Sequence, residues 1–142
     1  MSNSPSNQDL IRHSGSCHCG AVKFEFQAVS ELPVLICNCS ICRRTKFEHV
    51  IVPKENFTLI EGKASLTTYR FGTQTAVHTF CSTCGVKPFY SPRSHPDSYS
   101  VNLNCVDQQT VSGTIVEYFD GQNWEQAREN LHLHSVTEIQ SS

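Results

Sequence analysis

The sequence predicts a mainly β fold, stabilised by bound metal, with one short helix near its C-terminal end. Three features carry this expectation. Apolar and polar residues alternate strictly in "AVKFEFQ", where Val22, Phe24 and Phe26 face one way and Lys23, Glu25 and Gln27 the other. Such a period of two marks a half-buried strand. Short apolar segments recur along the chain with turn-forming residues between them. Cysteines, finally, come in clusters.

Taken in order, residues 1–14 are a polar, Ser- and Asn-rich tail expected to be disordered. After the strand at 21–27, further strands are expected at 33–37, 47–52, 57–60, 66–71, 76–80, 86–90, 99–104 and 113–119. Glu61-Gly62, Gly72-Thr73 and the stretch from Ser91-Pro92 to Pro96-Asp97 supply turn chemistry between them. The helix is expected in "NWEQAREN", with Asn123 as N-cap and Glu125 in its first turn. A further short helical turn is expected after Cys42. Residues 15–134 therefore form one domain, and 135–142 a second disordered tail. A chain of 142 residues can build one hydrophobic core, whereas two would each be marginal.

Composition excludes several classes of function. The formal charge is −2, from eleven Lys and Arg against thirteen Asp and Glu. The basic run Arg43-Arg44-Thr45-Lys46 is too short for a phosphate-binding footprint, so a nucleic-acid partner is not expected. No apolar run approaches the length of a membrane span. The polar start "MSNSPSNQDL" has no signal-peptide core, which points to the cytoplasm, with the nucleus as a second compartment. Thiols stay reduced there, and eight cysteines then read as metal ligands in preference to disulfides.

Seven of those eight fall into three clusters: "CHC" (Cys17, Cys19), "CNCSIC" (Cys37, Cys39, Cys42) and "CSTC" (Cys81, Cys84). Thiolates sharing one tetrahedral zinc must lie close together. C-x-x-C achieves this through a tight turn, and C-x-C through residues i and i+2 on one side of an extended strand. Keeping clusters whole gives Cys17, Cys19, Cys81 and Cys84 as one closed site. It leaves Cys37, Cys39 and Cys42 as a second site with an open position. Closed zinc sites hold folds together, and open ones admit water or substrate. Cys105, His49 or His78 could instead complete the second site and make it structural; Cys105 could equally be a small apolar filler. Gly20 and Gly85 each follow the second cysteine of a cluster, where a knuckle turn calls for positive φ.

"GSCHCGAVKFEF", "CNCSIC" and "HTFCSTCGVKPFYSPRSHPDSYSVNLNCVD" together resemble the family of glutathione-dependent formaldehyde-activating enzymes, with the nearest likeness to its centromere protein V branch. The likeness runs from about Gly15 to Arg128. It implies an Mss4-like β fold and two zinc ions per chain. It assigns Cys17, Cys19, Cys81 and Cys84 to a structural zinc, and Cys37, Cys39 and Cys42 to a catalytic one. The activity it implies joins glutathione and formaldehyde into S-(hydroxymethyl)glutathione, a carbon–sulfur lyase reaction with a small thiol and an aldehyde as partners. Centromere protein V itself carries a long basic, proline-rich extension that has no counterpart in the fourteen residues before Gly15, which speaks against a chromosomal role.

A centre of three thiolates suits a soft fourth ligand such as a substrate sulfur. The oxygen of a thiohemiacetal needs a proton, for which His49, His78, Tyr90, His95 and Asp107 are candidates, with His49 and Asp107 foremost. Arg93 could receive a carboxylate through a bidentate contact. Phe89, Tyr90, Phe119 and Trp124 read most simply as core. The alternative to an enzyme is a non-catalytic, zinc-stabilised binding module related to centromere protein V.

Overall fold

The computed structural model describes residues 9–72, 75–123 and 125–126. Among the described residues, ten strands, one named α-helix and five short 3-10 turns follow one another. The strands are β1 (Ile11–Ser16), β2 (Lys23–Ala28), β3 (Glu31–Cys37), β4 (Glu48–Pro53), β5 (Phe57–Glu61), β6 (Leu66–Tyr69), β7 (His78–Cys81), β8 (Phe89–Tyr90), β9 (Ser98–Asn102) and β10 (Gly113–Phe119). The helix, α1, is Ser40–Thr45. The mainly β class is therefore observed.

The strands form three sheets. One is three-stranded with order β1-β2-β5, one five-stranded with order β10-β3-β4-β9-β8, and one a β6-β7 pair. All pairings are antiparallel except β10 with β3. Period-two patterning decides how the first two sheets meet. In β2, Phe24, Phe26 and Ala28 are buried while Lys23 and Gln27 are exposed. These inward residues pack with Leu32 and Val34 of β3, Val50 and Val52 of β4, and Val101 of β9 in the main core. Phe24 lies at its centre, stacked on Phe26 and Phe57 and edge-on to Phe89.

The five-stranded sheet is buried on both faces in the middle. Strand β4 is covered from His49 to Val52, so it lacks the alternation of a half-exposed strand. Val50 and Val52 face the main core; the other face presents His49 and Ile51. Antiparallel register sets His49 opposite Leu35 of β3, and Ile51 opposite Ser100 of β9. Leu35, Ile51 and Phe119 form a second small apolar cluster, with Cys37 packed against it. That second face carries the candidate site.

Two expectations need correction. The segment 1–14 is not a tail throughout: β1 begins at Ile11 and pairs with β2 from Ile11–Ala28 to Ser16–Lys23. Its sequence, IRHSGS, hides the strand because the inward positions are His13 and Gly15, not aliphatic residues. His13 is fully buried. Its Nε2–H donates to the Val29 carbonyl (3.0 Å), leaving Nδ1 to accept from the Thr110 hydroxyl (2.7 Å). The short turn of helix also starts earlier than expected, at Ser40, so Cys42 lies inside it. Most of the helix expected at 123–130, and the tail at 135–142, lie outside the described residues, as does Trp124. No helix among the described residues is long and apolar enough to cross a membrane.

Phe24→Ala removes a buried ring that three aromatic neighbours contact. We expect a loss of about 3–5 kcal/mol in unfolding free energy by denaturant titration; a change under about 1 kcal/mol would contradict this core assignment.

Candidate metal centres and the cavity between them

Among the described residues, two groups of side chains converge closely enough to hold a metal ion. In the first, the ligand atoms of Cys17, Cys19, Cys81 and Cys84 all lie within 4.8 Å of one another. Cys17 Sγ and Cys81 Sγ each lie 3.7 Å from Cys19 Sγ. A tetrahedron with metal–sulfur bonds near 2.3 Å has edges of about 3.8 Å, so these sulfurs already stand at the required spacing. Both pairs sit in knuckle turns, and Gly20 and Gly85 close them at φ 84° and 78°, as their positions predict. Backbone amides point at the sulfurs. The Val22 N–H donates to Cys17 Sγ at 3.3 Å. The amide of Cys19, then that of Val86, draws the Cys84 thiol down to about 6. Hydrogen bonding to the anion favours thiolate, the form a metal requires. Cys105 lies beside this group, its carbonyl against Gly15. Burial, reinforced by the charges of Cys17 and Cys84, pushes its thiol up to about 11. It is part of the core packing and does not reach the second cluster.

The second group comprises Cys37, Cys42 and His49, their ligand atoms likewise within 4.8 Å of one another. Cys37 ends β3, Cys39 caps the N-terminus of α1, and Cys42 lies within that helix. Amides again face the sulfurs: Cys39 N to Cys37 Sγ and Cys42 N to Cys39 Sγ, both 3.5 Å. Thiol donors from Cys37 and then Cys42 hold Cys39 far below the ordinary thiol range, while Cys37 and Cys42 are raised correspondingly. Three sulfurs so close compete for protons, and a cation relieves that competition. The donor set thus fits a thiophilic metal.

His49 adds what sequence spacing alone left open. Its Nε2 lies 3.1 Å from Cys42 Sγ, and its Nδ1 lies 2.8 Å from Ser100 Oγ and 3.4 Å from the Tyr90 hydroxyl. Burial, followed by the positive charge of Lys87, holds the imidazole down at about 3, so it is neutral at physiological pH. A hydrogen bond at the far nitrogen fixes the orientation of a neutral imidazole, as such contacts do for metal-ligating histidines. Gly121 contributes by having no side chain: a Cβ there would stand 2.6 Å from Cys37 Sγ and 2.7 Å from Cys39 Cβ. Its place in "FDGQNW" gives no sequence signal for this, because the contact is made across the sheet.

This second group opens onto a cavity of about 550 Å³. Cys37, Cys39, Cys42 and His49 line it beside apolar Leu35, Ile51 and Phe119, with Arg93, Ser94 and Gln122 as polar lining. Its volume is in the range that holds a small organic ligand. Arg93, one of these lining residues, has its Nη2 2.6 Å from Glu125 Oε2. Tyr90 and Phe119, expected in the core, are buried but line the cavity too. Asp107, by contrast, is not among the lining residues. Its carboxylate accepts from the Ser14 hydroxyl at 2.9 Å beside β1, and its amide bonds the Ser14 carbonyl. His95 is also outside the lining, with Nδ1 2.8 Å from Ser94 Oγ.

Comparison with known proteins decides the family. Residues 12–122 match the family described as "Glutathione-dependent formaldehyde-activating enzyme". The chain belongs to that family. A curated relative from Halomonas elongata, named "Putative glutathione-dependent formaldehyde-activating enzyme", is 55% identical over 31 residues, which is 22% of this chain and 20% of that protein. The matched segment thus spans about a fifth of that relative's length. A Rhodobacter sphaeroides protein of known crystal structure is 33% identical, with a TM-score of 0.61 over 73% of this chain and 99% of that one.

Gly121→Ala should drive a methyl group into Cys37 and Cys39 while leaving the first centre untouched. Metal analysis of the purified variant is expected to show one ion per chain fewer than wild type. Full metal content would show that the second centre tolerates the intrusion.

Proposed function

We propose that the chain catalyses the reversible addition of a small thiol to an aldehyde, with glutathione and formaldehyde giving S-(hydroxymethyl)glutathione. The observation that carries this reading is the cavity of about 550 Å³ that exposes the Cys37–Cys39–Cys42 cluster in a member of this family. In this reading zinc occupies both centres. Cys17, Cys19, Cys81 and Cys84 hold a structural ion, and Cys37, Cys39 and Cys42 hold a catalytic one with His49 beside it. Zinc at the second centre supplies a site where sulfur binds as its anion, or where a carbonyl oxygen is polarised.

The chain's own side chains do the rest. Leu35, Ile51 and Phe119 provide an apolar floor that keeps water from the reacting carbon. Arg93 receives a carboxylate of the thiol, exchanging its exposed partner Glu125 for a substrate group. Ser100 and Tyr90 hold the His49 ring in register with Cys42 through Nδ1. Since thiol addition to formaldehyde is facile without a catalyst, the enzyme contributes mainly by bringing both reactants together in one orientation. The overall reaction breaks and forms a carbon–sulfur bond without oxidation, which places it among the carbon–sulfur lyases.

The 3.1 Å approach of His49 to Cys42 favours a second reading. With His49 as a fourth ligand beside the three sulfurs, the second centre is closed and the chain is a zinc-stabilised binding module. The two readings differ in metal exchange and in rate. Under the first, zinc is lost from the two centres at unequal chelator concentrations, and added thiol accelerates loss from the weaker one. NMR exchange spectroscopy of formaldehyde with glutathione should show a faster interconversion with enzyme. Cys42→Ser should abolish that acceleration and keep the fold, including the four-cysteine zinc. Two equally inert zinc ions with no acceleration would leave the binding module.

A further inference from the structure

One buried cation has no part in the reading above. Lys87 is only 8% exposed, and among the described residues no carboxylate pairs with it. Lysine is almost never buried without a partner, because desolvating an ammonium group is costly. Its Nζ lies 3.8 Å from the centroid of the Tyr90 ring and 4.9 Å from that of Phe47, and both faces attract a cation. Among the described residues its side-chain hydrogen-bond partner is His78, with Nζ 2.7 Å from Nδ1. An ammonium group can only donate, so His78 Nδ1 must accept. The neutral ring then carries its proton on Nε2.

The rest of the His78 environment bears on where that proton is available. The ring stacks on Phe71 (5.3 Å, 22°) and on Tyr90 (4.6 Å, 17°). Both neighbours line the cavity, as does His78 itself, and Lys87 stands behind them. Nε2 meets no hydrogen-bond partner among the described residues, yet it is not a sealed, unsatisfied atom. Because His78 is only 5% exposed and lines the cavity that holds the sulfur cluster, that cavity is where Nε2 can meet a ligand. Burial and then the Lys87 charge hold His78 at about 4, so the ring is neutral at physiological pH, while Lys87, lowered by burial to about 8, keeps its charge.

We propose that His78 is the catalytic hydrogen-bond donor to the aldehyde oxygen, and that Lys87 is the positioning residue that fixes its Nε2–H tautomer. The inference rests on the thiol–aldehyde reading and assigns the proton that reading lacks. As the thiol sulfur anion forms its bond to the carbonyl carbon, the π pair of the C=O bond moves onto oxygen. The Nε2 proton passes to that oxygen, and Lys87 passes a proton to Nδ1. Once the adduct leaves, Nε2 takes a proton from cavity water and Nδ1 returns its own to Lys87. The proton first lost by the thiol goes to solvent, so atoms and charges balance. A donor fixed in advance stabilises the developing oxyanion without reorganising, and losing one such donor costs about 10²–10³-fold.

The test has a spectroscopic arm and a kinetic one. Long-range ¹H–¹⁵N spectra of the zinc-loaded protein at neutral pH are expected to show His78 protonated at Nε2 only. In Lys87→Met that signature should give way to a tautomer mixture or to the Nδ1–H form, and in Lys87→Arg, which retains a donor, it should return. His78→Phe preserves the ring stack and is expected to lose about 10²-fold of the enzyme-dependent formaldehyde–glutathione exchange. His78→Gln keeps an N–H and should lose less. Zinc content and circular dichroism establish that each variant is folded, and His78→Gln serves if His78→Phe is not. Wild-type exchange in both His78 variants would overturn the proposal while leaving the proposed function standing, as would a His78 ring protonated at Nδ1 in wild type. No acceleration by the wild-type protein would remove the proposed function, and this inference with it.

Discussion

Everything at the second centre depends on a strand buried from both sides. In β4 the side chains of Val50 and Val52 close the main core, so those of His49 and Ile51 must emerge on the opposite face. A one-residue slip would exchange the two sets, sending an imidazole into the aliphatic core and a valine into the cysteine cluster. Pairing with β9 over five residues, from His49–Asn102 to Pro53–Ser98, holds the register. The same pairing brings Ser100 to the His49 ring and, through β8, sets Tyr90 opposite Ser100. One hydrophobic alternation thus fixes both the core and the polar shell of the candidate site.

The two metal-competent groups are built differently, and that difference suits different tasks. The first joins two knuckles about sixty residues apart in sequence: one leads into β2, the other follows β7. Its sulfurs clamp segments that no sheet hydrogen bonding connects directly. A metal there contributes folding free energy, because the unfolded chain has no equivalent site. The second group draws its sulfurs from one short stretch between β3 and the first turns of α1, with His49 supplied by the next strand. Its assembly adds little to chain closure, so its geometry is free to serve a ligand in the adjoining cavity.

Much of this was legible in the sequence wherever side-chain chemistry follows local spacing. The four-cysteine group, both knuckle glycines, β2 and β10 are all written in short-range pattern. What stayed hidden was chemistry made by register between distant strands. Strand β1 was concealed because a histidine with two hydrogen-bond partners occupies a position where hydrophobic patterning expects an aliphatic residue. The separation of Asp107 from the cavity likewise follows from its contact with β1 and could not be read from its nearness to Cys105. Gly121 lies in a stretch with no metal motif, and Lys87, although it follows the CSTC knuckle closely, is no ligand type; the surroundings of both are set by how the strands fold around them.

Lys87 also shows why an apolar-looking motif deserves a second reading at the level of charge. In "CGVKPFY" a lysine between aliphatic and aromatic residues would be taken for an exposed edge residue. Instead the turn after Cys84 directs it inward, where two aromatic faces and one imidazole nitrogen are its contacts. The charges that favour its protonated form are the thiolates of Cys42, Cys39 and Cys37. A zinc ion held by the three thiolates would carry a net charge of −1, which the buried ammonium group would offset. Burial of this lysine is thus tolerable because the anionic centre exists, and a closely packed anionic centre is tolerable because the lysine does. That mutual dependence ties the cysteine cluster and the Lys87–His78 pair to the same few strands.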